Sequence, residues 1–313
     1  MSTCTLQPTD QEQVFDFEID NSSLENFTSC SRRAQYYSIL KREPAGFNAA
    51  LFFGSVIHKA LEHRMNRTPT WEADQVNTVT AAYAENPPSF EEWRTPDLAL
   101  EVLTAYNKRW PIELEPFTVI PDTVESSFRV LLGTAMLDCA LQTPDGPVHV
   151  KAVNVFWTGR CDALINLYDS VFVMDHKTAS VTGESYYEDF NLSSQMLGYV
   201  WAARQRGIAA VGLYADVLET RRPSKTGKAI AQRRQPYWYS DFHLEEWRVD
   251  TFTLIQDFLE HWARDYFPKG TKWCHGKFGE CPYWKVCSQD TAAGREQLLH
   301  GENYQPVTWS PLK

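Results

Sequence analysis

Residues 159–180, GRCDALINLYDSVFVMDHKTAS, constrain the fold more than any other stretch. Two apolar runs flank Tyr168-Asp169, and both read as strands. A turn centred on that pair sets Asp162 opposite Asp175. Side chains alternate along a strand, so Asp175 and Lys177 share one face, and Met174 and His176 take the other. Directly opposed Cβ atoms lie roughly 5 Å apart. Two carboxylates that close repel unless a cation or a proton lies between them. A hard divalent cation resolves this, since Mg2+ takes one or two carboxylates and keeps several waters. Lys177 can then hold or polarise a water beside the metal. The plainer alternative is a surface hairpin with its acids in solvent; the apolar lead-in and the opposed Asp162 argue for the metal.

With 313 residues, 43% of them hydrophobic and 13% aromatic, the chain can bury a sizeable core. Its net charge of -10 excludes an all-over basic coat but not a local basic groove. No uninterrupted apolar run approaches the roughly 18 residues of a membrane helix. The opening MSTCTLQPTDQEQ is polar and lacks the regions of a secretory signal. A cytoplasmic protein is expected, in the host cytoplasm if the chain is viral.

Helices are expected from NSSLENF onward, over FNAALFFGSVIHKALEHRMN, and over 71–110 with a break at Pro87-Pro88. From Val119 the period changes, and FTVIPDTVESSFRVLL, VHVKAVNVFWTGRCDALINLY and SVFVMDHKTAS read as consecutive strands. SSQMLGYVWAARQRG is helical, AVGLYADVLE is a strand, and a last helix runs from about Leu244 to Tyr266. This order predicts an α/β fold with a mixed central sheet flanked by helices, plus a helical part. The expected organisation is one domain over 1–313. It has a loose segment to residue 20, a mainly helical part over 21–118 and a sheet core over 119–217. A basic loop follows over 218–236, then a helix and cysteine region over 237–287, and an irregular tail over 288–313.

Seven cysteines in a reducing compartment do not suggest a disulfide framework. Cys274, Cys281 and Cys287 cluster in CHGKFGECPYWKVC, with spacings too long for an ordinary zinc ribbon. Four thiolates are the usual requirement of a [4Fe–4S] cluster. Zinc or plain buried cysteines remain the alternatives. Cys4, Cys30, Cys139 and Cys161 lie outside this group.

The run RRPSKTGKAIAQRRQPYWY holds Arg221, Arg222, Lys225, Lys228, Arg233 and Arg234 with no acid among them. Long flexible cations suit phosphates. The aromatics Tyr237, Trp238 and Tyr239 could stack on unpaired bases, though a core strand explains them as well. Arg32 and Arg33 could add to such a groove.

GRCDAL followed by VFVMDHKTAS resembles the core of the PD-(D/E)XK nuclease superfamily. More narrowly, the chain resembles its RecB-like branch and the iron–sulfur exonucleases associated with CRISPR adaptation. GSVIHKALEH resembles that branch's Gly-x-x-x-His helix, and Gln195 and Tyr199 in QMLGY match its Gln-x-x-x-Tyr motif. Glu125 in VESSF resembles an acid of the strand before the hairpin. Cys161 stands where a proline often precedes the first aspartate. The resemblance implies a restriction-endonuclease-like core. It implies Asp162, Asp175, the His176 carbonyl and His58 around Mg2+ or Mn2+, with Lys177, Gln195 and Tyr199 in catalytic roles. It also implies Cys30 as fourth ligand of a structural [4Fe–4S] cluster with Cys274, Cys281 and Cys287, joining the two chain ends.

The expected function is a metal-dependent deoxyribonuclease, an exonuclease acting on single-stranded DNA ends. The alternative is a nucleic-acid-binding or assembly module of a recombination, repair or CRISPR-adaptation complex that cuts little. A zinc-stabilised interaction protein is a third reading. Polarity, DNA against RNA, exo against endo cleavage, pathway and oligomeric state stay open.

Overall fold

A computed structural model describes residues 6–8, 13–89, 91–180, 182–220, 232–276, 279–308 and 310–312. The chain divides into two compact units, Phe47–Ser126 with Arg160–Leu244, and Met1–Gly46 with Ser127–Gly159 and Glu245–Lys313.

The first unit carries a five-stranded mixed sheet in the order Gln232–Trp238, Ala210–Glu219, Ser170–Ala179, Ala163–Leu167, Phe117–Val119. Ser170–Ala179 and Ala210–Glu219 run parallel, and the other neighbours are antiparallel. The hairpin pairs Ala163 with Met174 and Leu167 with Ser170. Its turn residues Tyr168 and Asp169 both have positive φ, 52° and 59°, as a two-residue type I′ turn requires. The next pair along this register is Asp162 with Asp175, as the sequence predicts. Three helices, Ala49–Met65, Trp71–Glu85 and Pro96–Arg109, share one apolar cluster with Leu218 of the sheet. In the first, Phe53, Val56, Ile57, Ala60, Leu61 and Arg64 form the buried stripe at helical spacing. The helix Ser194–Gln205 buries Met196 through Ala203 almost without interruption, as an interior helix does.

The second unit has a four-stranded sheet, Leu6–Pro8, Val14–Ile19, Gly146–Cys161, Ser126–Thr143. Its core gathers Phe17, Phe27, Phe258 and Trp262, with Phe27 and Phe258 ring centroids 4.4 Å apart.

The mixed α/β class holds, but four expectations change. The strands over 126–161 do not continue the hairpin's sheet; Val14–Ile19 pairs in parallel with Gly146–Cys161 and draws them into a second one. The expected loose start therefore contains a structural strand. The tail contains a helix, Ala292–Leu299, and a strand, Tyr304–Pro306, that pairs with Arg42–Pro44. The expected basic loop is a strand again from Gln232. Among the described residues no helix is long and apolar enough to cross a membrane.

Candidate active site and cysteine pocket

The acid site grows from three elements of the first unit. The hairpin brings Asp162 and Asp175 to one end of the sheet. The helix Ala49–Met65 brings His58, whose Nδ1 lies 3.4 Å from Asp162 Oδ1. Gly54, one turn earlier, packs closely on the end of the hairpin: a Cβ there would sit 3.1 Å from Thr178 Oγ1.

The His176 backbone N–H donates to Asp162 Oδ2 at 2.5 Å. Lys177 Nζ lies 2.7 Å from Asp175 Oδ2, an ion pair at the end of the hairpin. Burial would raise the Asp162 carboxyl; the His58 charge and the His58 and His176 hydrogen bonds outweigh it and hold it well below the usual range. Burial raises Asp175, aided by Asp162 and opposed by Lys177. The pKa values of the two facing acids are thus shifted in opposite directions. Burial would lower His58, but the Asp162 charge beside it wins and raises it.

Gln195 Nε2 donates to the Tyr199 hydroxyl at 2.9 Å, one turn apart on one helix. Burial, then the Asp175 charge, pushes that hydroxyl well above its ordinary value. Glu125 lies in a loop rather than a strand, at φ 53°. Its N–H donates to the Asp162 carbonyl at 2.9 Å, and burial with the Asp162 charge raises its carboxyl.

The basic run divides. Arg221, Arg222, Lys225 and Lys228 lie outside the described residues. Arg233 is partly exposed; it pairs with Glu184 at 2.9 Å and lies over the Tyr187 ring. Arg234 is corrected: its side chain is 1% exposed and pairs with Glu115 and Asp216, so it is not available to a phosphate. Tyr237 and Tyr239 are core residues, donating to the Tyr187 and Phe190 carbonyls, while Trp238 is exposed.

Sequence reasoning missed Asp216, Tyr106, Glu115 and Arg64, which surround Arg234 in the interior. An acid inside the apolar run LYADVLE was the available signal. Burial would raise Asp216, but Arg234, His176 and Tyr106 hold it down to about 2. Its folded value lies below the ordinary 3.8. Asp216 therefore stabilises the fold above the ordinary value, and that contribution is lost as pH falls toward the lowered one. Acid unfolding followed by circular dichroism is expected to show Asp216→Asn less stable at neutral pH, with the gap to the wild type closing as pH falls through this window.

In the second unit, Cys30, Cys274, Cys281 and Cys287 line one pocket with Arg33 and Lys269. None forms a disulfide. The Gly270 N–H donates to Cys30 Sγ at 3.2 Å. A Cβ on Gly270 would meet the Ser29 carbonyl at 2.4 Å. Gly270→Ala is therefore expected to cost on the order of 1–3 kcal/mol, read by thermal melting, and to disturb the Cys30 wall. Burial, then Cys281 and Cys30, raises the Cys274 thiol. Burial raises Cys287 against a hydrogen bond with the Tyr36 hydroxyl. These shifts favour neutral thiols; four cysteines around one pocket would become thiolate ligands only with a cation bound among them. Cys161 is buried and its thiol is pushed up to about 12 by burial; Cys139 is half-buried.

As they stand, neither set closes around a point: among the described residues no group of three or more His, Cys, Asp or Glu is arranged to hold a metal ion. At the acid site, the buried Asp175 carboxylate and the half-buried Asp162 carboxylate still supply the hard oxygen donors a divalent cation takes.

A mixed sheet flanked by helices, with opposed acids and a lysine at the hairpin's end, defines a restriction-endonuclease-like core. The chain belongs to the PD-(D/E)XK nuclease superfamily, whose family model matches residues 21–288. Nucleases of this superfamily typically use divalent metals such as Mg2+. Among solved structures, a "Putative exonuclease" from Eubacterium rectale is similar over 89% of this chain and 87% of its own, at 13% identity and TM-score 0.48. The protein SSO0001 is similar over 82% of this chain and 81% of its own, at 12% identity and TM-score 0.27. No curated protein matches the chain.

Proposed function

We propose that the protein is a metal-dependent deoxyribonuclease of the RecB-like branch, an exonuclease acting on single-stranded ends. The observation that carries this reading is the opposed pair of half-buried Asp162 and buried Asp175, with Lys177 Nζ 2.7 Å from Asp175. Asp162, Asp175 and the His176 carbonyl would hold Mg2+ or Mn2+, with His58 as a further ligand. A divalent ion there lowers the pKa of a bound water and stabilises charge developing on the phosphate. Lys177 positions the attacking water or neutralises that charge. Gln195 and Tyr199 orient Lys177 or the DNA backbone. Arg233 and the basic residues at 221–228 meet phosphates, giving salt-dependent affinity. Cys30, Cys274, Cys281 and Cys287 hold a structural [4Fe–4S] cluster, as in the iron–sulfur exonucleases the sequence resembles. Such a protein works in the cytoplasm, with partners in recombination, repair or CRISPR adaptation.

The test is cleavage of end-labelled single- and double-stranded DNA with Mn2+ or Mg2+, using protein purified without oxygen. A ladder from the single-stranded substrate supports the reading and shows polarity. Binding without cleavage in either metal would favour the assembly-module alternative.

A further inference from the structure

His176 is held from the face of the sheet opposite Asp175 and Lys177. Its side chain is 2% exposed, and its Nδ1 lies 3.1 Å from Asp216 Oδ2. The same oxygen accepts a hydrogen bond from the Tyr106 hydroxyl at 2.5 Å and lies 3.2 Å from Arg234 Nε. Arg234 also donates to the Tyr106 hydroxyl and to both oxygens of Glu115, and Glu115 accepts from Arg64. The four charged side chains are buried. Burying that many charges is costly, and apolar residues often fill such a space at equal or better stability. The network thus calls for a reason beyond holding the fold together.

The peptide of His176 supplies one. Its N–H holds Asp162, and its chain neighbours are Asp175 and Lys177. An imidazole fixed against Asp216 limits how the backbone of this residue can turn, and so where its N–H and carbonyl point.

We propose that Asp216, Arg234 and Tyr106 are positioning residues that act through the His176 imidazole, holding the Asp175-His176-Lys177 backbone in metal-binding register. This rests on the metal reading of Asp162 and Asp175 above.

The test is direct Mn2+ binding to the full chain without DNA, followed by electron paramagnetic resonance of the free ion, with thermal melting alongside. His176→Ala removes the imidazole but leaves the Asp216 contacts to Arg234 and Tyr106 in place. It is expected to weaken Mn2+ binding by about 10- to 100-fold, the range for groups that orient metal ligands. His176→Asn, whose amide can reach Asp216 from near the Nδ1 position, is expected to recover part of that loss. Asp216→Asn, where it folds, should weaken binding as His176→Ala does. A folded His176→Ala protein that binds Mn2+ like the wild type overturns the proposal. Asp175→Ala is the control: if it too binds Mn2+ like the wild type, the metal reading falls first and the positioning role falls with it.

Discussion

Lys177→Ala is expected to leave a folded protein whose DNA cleavage is lower by about 100- to 1,000-fold, the scale for losing one preorganised group that stabilises transition-state charge. Lys177 is 27% exposed at its side chain while Asp175 is 5% exposed, so the two partners respond differently to its loss. The lysine sits partly in water and contributes little packing. Asp175 has burial and the Asp162 charge raising its carboxyl, and Lys177 opposing them. Without Lys177 the carboxyl keeps its proton to higher pH, so the acid limb of the variant's residual activity should lie at higher pH than that of the wild type. Melting temperature and circular dichroism check the fold, and a pH–rate profile checks the mechanism. Wild-type cleavage by Lys177→Ala would remove Lys177 from the reaction.

Cys281→Ala is expected to act on the fold instead. Cys281 lines the pocket with the other three thiols, and its backbone N–H donates to the Cys274 carbonyl at 2.8 Å. Structural metal centres contribute on the order of 10 kcal/mol to folding, because the unfolded chain has no preformed site. Losing one of four thiolates should lower the melting temperature by roughly 10 °C and release bound metal. Metal analysis of the wild type separates the readings, since a [4Fe–4S] cluster gives brown protein containing iron and a zinc site gives colourless protein. A wild type that is purified without metal, and a Cys281→Ala protein that melts at the same temperature as it does, would show that the pocket is only packed cysteines.

The features of the acid site that were legible in the sequence are local ones. Asp162, the turn at Tyr168-Asp169 and Asp175 lie within one hairpin, where turn position alone sets register. Gly54 and His58, and likewise Gln195 and Tyr199, share helix faces at a four-residue spacing. What escaped is nonlocal. Arg64, Tyr106, Glu115, Asp216 and Arg234 meet only through the fold. A run of positive charge does not distinguish a solvated arginine from a buried one, and so Arg234 was read with Arg233. The strands over 126–161 were placed in the wrong sheet for the same reason, since their partner Val14–Ile19 lies more than a hundred residues earlier; the alternation of Phe15, Phe17 and Ile19 with Asp16 and Glu18 marks a strand there but not which strand it pairs with. Glu125 was expected on a strand because VESSF has strand composition; its positive φ ends the extended run.

The most direct test of the central claim is a metal add-back experiment on end-labelled single-stranded DNA. Wild type and Lys177→Ala, prepared without oxygen, are freed of divalent ions with a mild chelator and then titrated with Mn2+. Cleavage that returns with Mn2+ in the wild type and stays near background in the variant is the predicted result. Cleavage by the wild type without divalent metal, or equal cleavage by both proteins, would contradict the assignment of Asp162, Asp175 and Lys177 as the nuclease site.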